Sequence, residues 1–97
     1  MTTYITLVRW TEQGVAQIKE SPARFDAFKQ LVKSFGGEVK AFYMVTGQYD
    51  LVVIIEAPND EAAAKVALLS GSKGSIRTET LRAFTEDEYR KIISSLP

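Results

Sequence analysis

Apolar residues along this chain recur with two different periods. From Met1 to Trp10 the period is two: Tyr4, Thr6, Val8 and Trp10 share one parity, and Ile5, Leu7 and Arg9 the other. That is the repeat of a strand, and because both parities are largely apolar the strand is expected inside a sheet. Thr11 suits the N-cap of a short helical turn through Val15 and Ile18, weakened by Gly14. Ser21-Pro22 then opens a longer helix, with Ser as cap and Pro at the first helical position. Phe25, Phe28, Leu31, Val32 and Phe35 form its apolar stripe against Lys29, Gln30 and Lys33, and Gly36-Gly37 stops it.

Period two returns from Glu38 to Thr46, where Val39, Ala41, Tyr43 and Val45 alternate with Lys40, Phe42, Met44 and Thr46. The charge of Lys40 suits an edge strand. After Gly47-Gln48-Tyr49-Asp50 comes Leu51-Val52-Val53-Ile54-Ile55, apolar on both faces and therefore a central strand. Asn59 or Asp60 caps the next helix, whose small stripe is Ala62, Ala63, Val66, Ala67 and Leu69, with Gly71 and Gly74 at its exit. Ser75 to Phe84 is the most polar strand, hence the other edge. Thr85 and Glu88 form a capping box for a final helix with Tyr89, Ile92, Ile93 and Leu96 on one side.

The order is β-α-β-β-α-β plus a C-terminal helix: an α+β, ferredoxin-like arrangement across residues 1–97 as one domain. Right-handed crossovers put the first and third strands in the centre and the second and fourth at the edges. Two main helices cover only one face of such a sheet. The other face stays apolar whichever parity it has. If it is that of Tyr4, Val8 and Trp10, each large side chain left in water costs about 1.5–3 kcal/mol. A two-fold homodimer, or a higher homo-oligomer, packing sheet on sheet removes the exposed patch. The alternative is a monomer with the final helix folded across that face, although three turns of helix reach over only part of a sheet.

Composition narrows the chemistry. Twelve basic and twelve acidic residues cancel, giving no field that favours nucleic acid or anionic membrane. Without Cys or His there is no thiol nucleophile, no imidazole base, and neither of the commonest metal or haem ligands, so no metal or cofactor is expected. No run reaches the roughly 20 apolar residues of a membrane span, and no signal-type leader opens the chain, so a cytoplasmic location is expected.

Several residues could carry function. Gly47 supplies a positive φ, Tyr49 packs and hydrogen-bonds at its tip, and Asp50 accepts N–H groups at the turn; alternatively Tyr49 and Asp50 touch a ligand. Arg77 and Glu79 share a parity and Arg82 has the other, so regular strand geometry cannot bring all three to one cavity. Cross-strand ion pairing is the simpler role for them and for Arg9; an anion-binding Arg82 is the more specific one. Trp10 and Tyr43 read as interface aromatics or ligand contacts. Gly71-Ser72-Lys73-Gly74 lacks the spacing of a phosphate loop and follows a helix instead of opening one.

The text around these residues resembles the small bacterial GYD-domain proteins. Gly47-x-Tyr49-Asp50 lies between apolar strands, with Tyr4-Ile5-Thr6-Leu7, Thr11-Glu12-Gln13-Gly14, Gly36-Gly37, Glu56-Ala57-Pro58 and Arg77-Thr78-Glu79-Thr80-Leu81-Arg82-Ala83-Phe84-Thr85 in matching order. The resemblance spans essentially the whole chain and implies a ferredoxin-like fold of the dimeric α/β-barrel class, a family without an established activity. A fainter similarity, confined to the Gly-x-Tyr-Asp hairpin, runs to the effector-binding domain of leucine/asparagine-responsive regulators and implies ligand sensing or assembly by analogy. The expectation is a binding or assembly module that pairs with itself and holds a small ligand between sheets. The alternative is a cofactor-free enzyme on a small organic substrate, with Asp50 as base and Tyr49 or an arginine polarising an oxygen.

Overall fold

A computed structural model describes residues 1–97. The chain runs through β1 (Thr2–Trp10), α1 (Glu12–Ala16), a single 3-10 turn (Ile18–Glu20), α2 (Ser21–Ser34), β2 (Glu38–Met44), β3 (Leu51–Ala57), α3 (Asp60–Ser72), β4 (Ile76–Ala83) and α4 (Glu86–Ser94). The strands pair antiparallel in the order β2-β3-β1-β4, so the two most apolar strands are central and the Lys-bearing and polar ones are edges. The fold is the expected ferredoxin-like α+β arrangement.

Register assigns the faces. Tyr4, Thr6 and Val8 stand beside Ile55, Val53 and Leu51 on β3, and beside Arg82, Thr80 and Thr78 on β4. Helices α2 and α3 pack on this face through Val32, Ala62, Ala63 and Val66 and bury those β1 and β3 side chains, with Phe25, Phe28, Leu31 and Phe35 at the margin. Tyr4, Val8 and Trp10 therefore lie beneath the helices, and the uncovered face is the other one. It presents Ile5, Leu7 and Arg9 from β1, Val52 and Ile54 from β3, and Arg77, Glu79 and Leu81 from β4. No helix packs there. In particular α4 does not fold across it: Tyr89, Ile92, Ile93 and Leu96 remain exposed, and α4 forms no packed interface with any strand.

Four local expectations change. β2 does not alternate simply, because a bulge between Val39 and Ala41 leaves Lys40 unpaired and turns Phe42 and Met44 to the helix side, Tyr43 to the open side. β2 ends at Met44, not Thr46, where the chain leaves the ladder. Ser21 is the first helical residue of α2 instead of its cap, since the 3-10 turn leads straight in through Glu20, while Pro22 keeps its place in the first turn. The buried stripe of α3 takes Ser70, four residues after Val66, in place of Leu69, which is exposed. Helix α3 ends at Ser72, between Gly71 and Gly74 as expected. The remaining signals hold: Thr11 caps α1, Asn59 caps α3, Gly36 stops α2 at φ 82°, and Thr85 with Glu88 closes a capping box on α4.

Candidate functional site

The segment from Val45 to Asp50 binds the two central strands together. Val45 N–H donates to the Asp50 carbonyl at 2.8 Å, closing the loop, and Asp50 N–H donates to the Val8 carbonyl at 2.9 Å. The Asp50 carboxylate accepts the Trp10 N–H at 2.9 Å. Asp50 thus serves the last residue of β1 instead of its own turn, replacing the ladder partner that β3 no longer supplies there. Gly47 takes φ 128°, a backbone that side chains disfavour.

Tyr49 leaves this loop onto the open face and lies across β1. Its hydroxyl donates to Glu79 Oε1 on β4 at 2.9 Å. The Arg9 guanidinium sits 4.8 Å from the ring centre, and Arg9 Nε donates to the Gln48 carbonyl at 2.9 Å. Loop, β1 and β4 thereby meet in one Arg9–Tyr49–Glu79 cluster at the rim of the strip formed by Ile5, Leu7, Val52 and Ile54. The hydrogen bond to Glu79, then burial and the Glu79 charge, raise the Tyr49 hydroxyl above its ordinary value, against a smaller opposing effect of Arg9. The phenol is accordingly a neutral donor at physiological pH.

The other candidates lie elsewhere. Arg82 is on the helix side of β4, 4.0 Å above the Phe84 ring centre, and donates to the Ala83 carbonyl. Tyr43 stands on the open face at the exposed β2 edge. Arg77 starts on the open face, but its guanidinium turns to the Gly71 carbonyl at the end of α3. The Trp10 side chain lines an apolar hollow under the first half of α2 with Val8, Phe25, Phe28, Leu51 and Ile76. That hollow continues outward past Phe42 and Met44. The sequence offered Trp10 as an interface aromatic or ligand contact, and did not single out Phe42 and Met44, whose facing the bulge reversed. The link from Tyr49 to Glu79 has no local signal, and only the β1–β4 register puts Glu79 and Arg9 on one side. No group of three carboxylates lies close enough together to hold a metal ion.

Known proteins share much of this chain's sequence and fold. The chain is 37% identical over 84 residues, 86% of its length and 88% of the other's, to a Thermus thermophilus protein named glutamine synthetase and cystathionine beta-lyase binding protein. Its fold matches a solved structure from Thermus thermophilus with a TM-score of 0.55 and 28% identity, over 88% of this chain and 95% of that one. It also matches the leucine response regulatory protein of Mycobacterium tuberculosis with a TM-score of 0.62 and 17% identity. That match covers 89% of this chain but only 54% of the regulator, so the likeness is to part of a longer protein and concerns the fold alone. The GYD domain model spans residues 4–93, from the first core tyrosine to the last turn of α4, and the chain belongs to the GYD domain family.

Proposed function

We propose that this chain is a non-catalytic binding module that pairs with a second copy through its open sheet face and, as a homo-oligomer, docks on metabolic enzymes. The observation that carries the reading is the uncovered strip of Ile5, Leu7, Val52 and Ile54, bordered by the Arg9–Tyr49–Glu79 cluster. A two-fold axis through such a strip buries apolar side chains of both copies with one surface, and the polar rim sets the orientation. The space between the two sheets, with Tyr49 and Arg9 at its edge, offers a small polar ligand both a donor and a cation. The name of the Thermus thermophilus relative supports enzymes as partners. Asp50, with one carboxylate oxygen engaged by the Trp10 N–H, fits a structural role better than that of a base.

Sedimentation equilibrium of the wild type and of Leu7→Glu tests the pairing. The wild type is expected as a dimer or larger at micromolar concentration and Leu7→Glu as a particle of the single-chain mass, 10.8 kDa for the wild type, with unchanged helix content. A wild type that stays monomeric overturns the pairing. Surface-immobilised wild type titrated with purified glutamine synthetase and cystathionine beta-lyase tests the partner class separately; absence of binding to both overturns that part.

A further inference from the structure

Between the middle of α2 and the end of α3 lies a cleft lined by Arg24, Ala27, Phe28, Leu31, Ser70, Lys73 and Ile76, on the opposite side of the sheet from the Tyr49 cluster. Ser70 is more than nine-tenths buried and its hydroxyl has no hydrogen-bond partner. A serine inside a helix ordinarily satisfies itself on the carbonyl one turn back. Here Ser70 lines both the cleft and a small inner hollow that Phe28, Ile55 and Thr78 also line. A buried hydroxyl without a partner is unusual and points to a group that completes it.

Two cationic side chains, Lys73 and Arg24, stand beside it. Lys73 pairs with no carboxylate. Nor do the carbonyls ending α3 absorb its charge: Leu69 O accepts the Ser72 hydroxyl, and Gly71 O accepts Gly74 N–H and the Arg77 guanidinium. Arg24 donates to the Gln17 and Gly14 carbonyls and lies 4.0 Å from the exposed Glu20 carboxylate, a loose pair that leaves further guanidinium N–H groups unused on the cleft wall. We infer that this cleft binds a small organic carboxylate, with the acid group between Arg24 and Lys73, the Ser70 hydroxyl donating to a carboxylate oxygen, and the apolar body on Ala27, Phe28, Leu31 and Ile76. One cationic end, one free donor and an apolar wall match such a molecule better than an inorganic anion, which has nothing to place on the apolar wall.

Hexanoate serves as the probe, titrated into the full chain and followed by backbone amide resonances. Saturable shifts are expected at Ala27, Leu31 and Ser70 to Ser75, with 1-hexanol and inorganic phosphate each binding at least about tenfold more weakly, the usual scale for losing a charge-assisted hydrogen bond or a buried apolar body. Lys73→Gln is expected to weaken hexanoate by a similar factor, Lys73→Arg to restore most of it, and Ser70→Ala to weaken it while leaving the fold intact. Hexanol binding as well as hexanoate would mean a greasy hollow only, and phosphate binding as well would mean a surface charge only; either overturns the site. So does Ser70→Ala that raises the melting temperature without changing hexanoate affinity, which would assign the hydroxyl to a buried water. Because the cleft is remote from the open face, its failure leaves the self-pairing untouched.

Discussion

Gly47 stands at φ 128° with no atom within 4 Å of where a methyl group would lie. The position is therefore restricted by backbone torsion alone, and crowding plays no part. Gly47→Ala is expected to lower the free energy of unfolding by about 1–3 kcal/mol, read from urea denaturation. Because Asp50 depends on the path of this loop to reach Trp10 N–H, the same variant should also speed exchange of that amide. Tyr4 makes a second prediction at this scale. Its hydroxyl donates to the Asp60 carboxylate at the start of α3, and burial, then that hydrogen bond and the Asp60 charge, raise its pKa. Below about pH 10, the unfolded value, both states keep the proton and the bond contributes in full. As pH rises through that value toward the higher folded pKa, the unfolded chain ionises first and stability falls. A urea midpoint that falls once pH rises past about 10 is expected. Tyr4→Phe should reduce the drop without removing it, because Tyr49 is raised as well.

Among the elements, α4 is the one least supported by packing. Its start is built carefully: Thr85 Oγ1 accepts Glu88 N–H at 3.2 Å and Glu88 Oε1 accepts Thr85 N–H at 2.9 Å. The backbone N–H of Thr85 is the main reason the Glu88 carboxyl lies below its ordinary value. That contribution is present above the usual glutamate pKa and is lost as pH falls through the lower folded value. Far-ultraviolet circular dichroism should therefore show α4 unwinding in acid before the sheet does, and Glu88→Gln should move that step. Most helix stability comes from packing, and α4 has little. Ending the chain at Thr85 is expected to change the unfolding free energy of the monomer by no more than about 1 kcal/mol. At the opposite extreme the N-cap of α1 is tied to the turn that leads into β4, since Thr11 N–H donates to Ser75 O at 3.0 Å and Thr11 Oγ1 to Gly74 O at 2.5 Å. A methyl on Gly14 would collide with the same Ser75 carbonyl. The glycine that weakened the helix in sequence is what lets it approach that turn.

At the scale of the molecule, alternation, caps and breakers determined the element order, and the apolar content of the strands separated centre from edge, because each strand must match the solvent on its two faces. The need for a cover on the second sheet face was also legible, from two helices against four strands. Which face needed it was not: both parities of β1 and β3 are apolar, so only the packing of α2 and α3 could choose. The Lys40 bulge likewise arises from pairing with β3, and it moved Phe42 and Met44 away from where simple alternation had them. The candidate site divided for the same reason. Gly47 and Asp50 announced a loop by residue type, but Tyr49 finds its partners on β4 and β1, far along the chain, and the cleft at Ser70 joins two helices that share no local pattern. A sequence states what each residue prefers nearby, and so it settled the elements and their exposure; contacts between distant segments exist only once the chain closes, and so the tertiary structure alone decided the site.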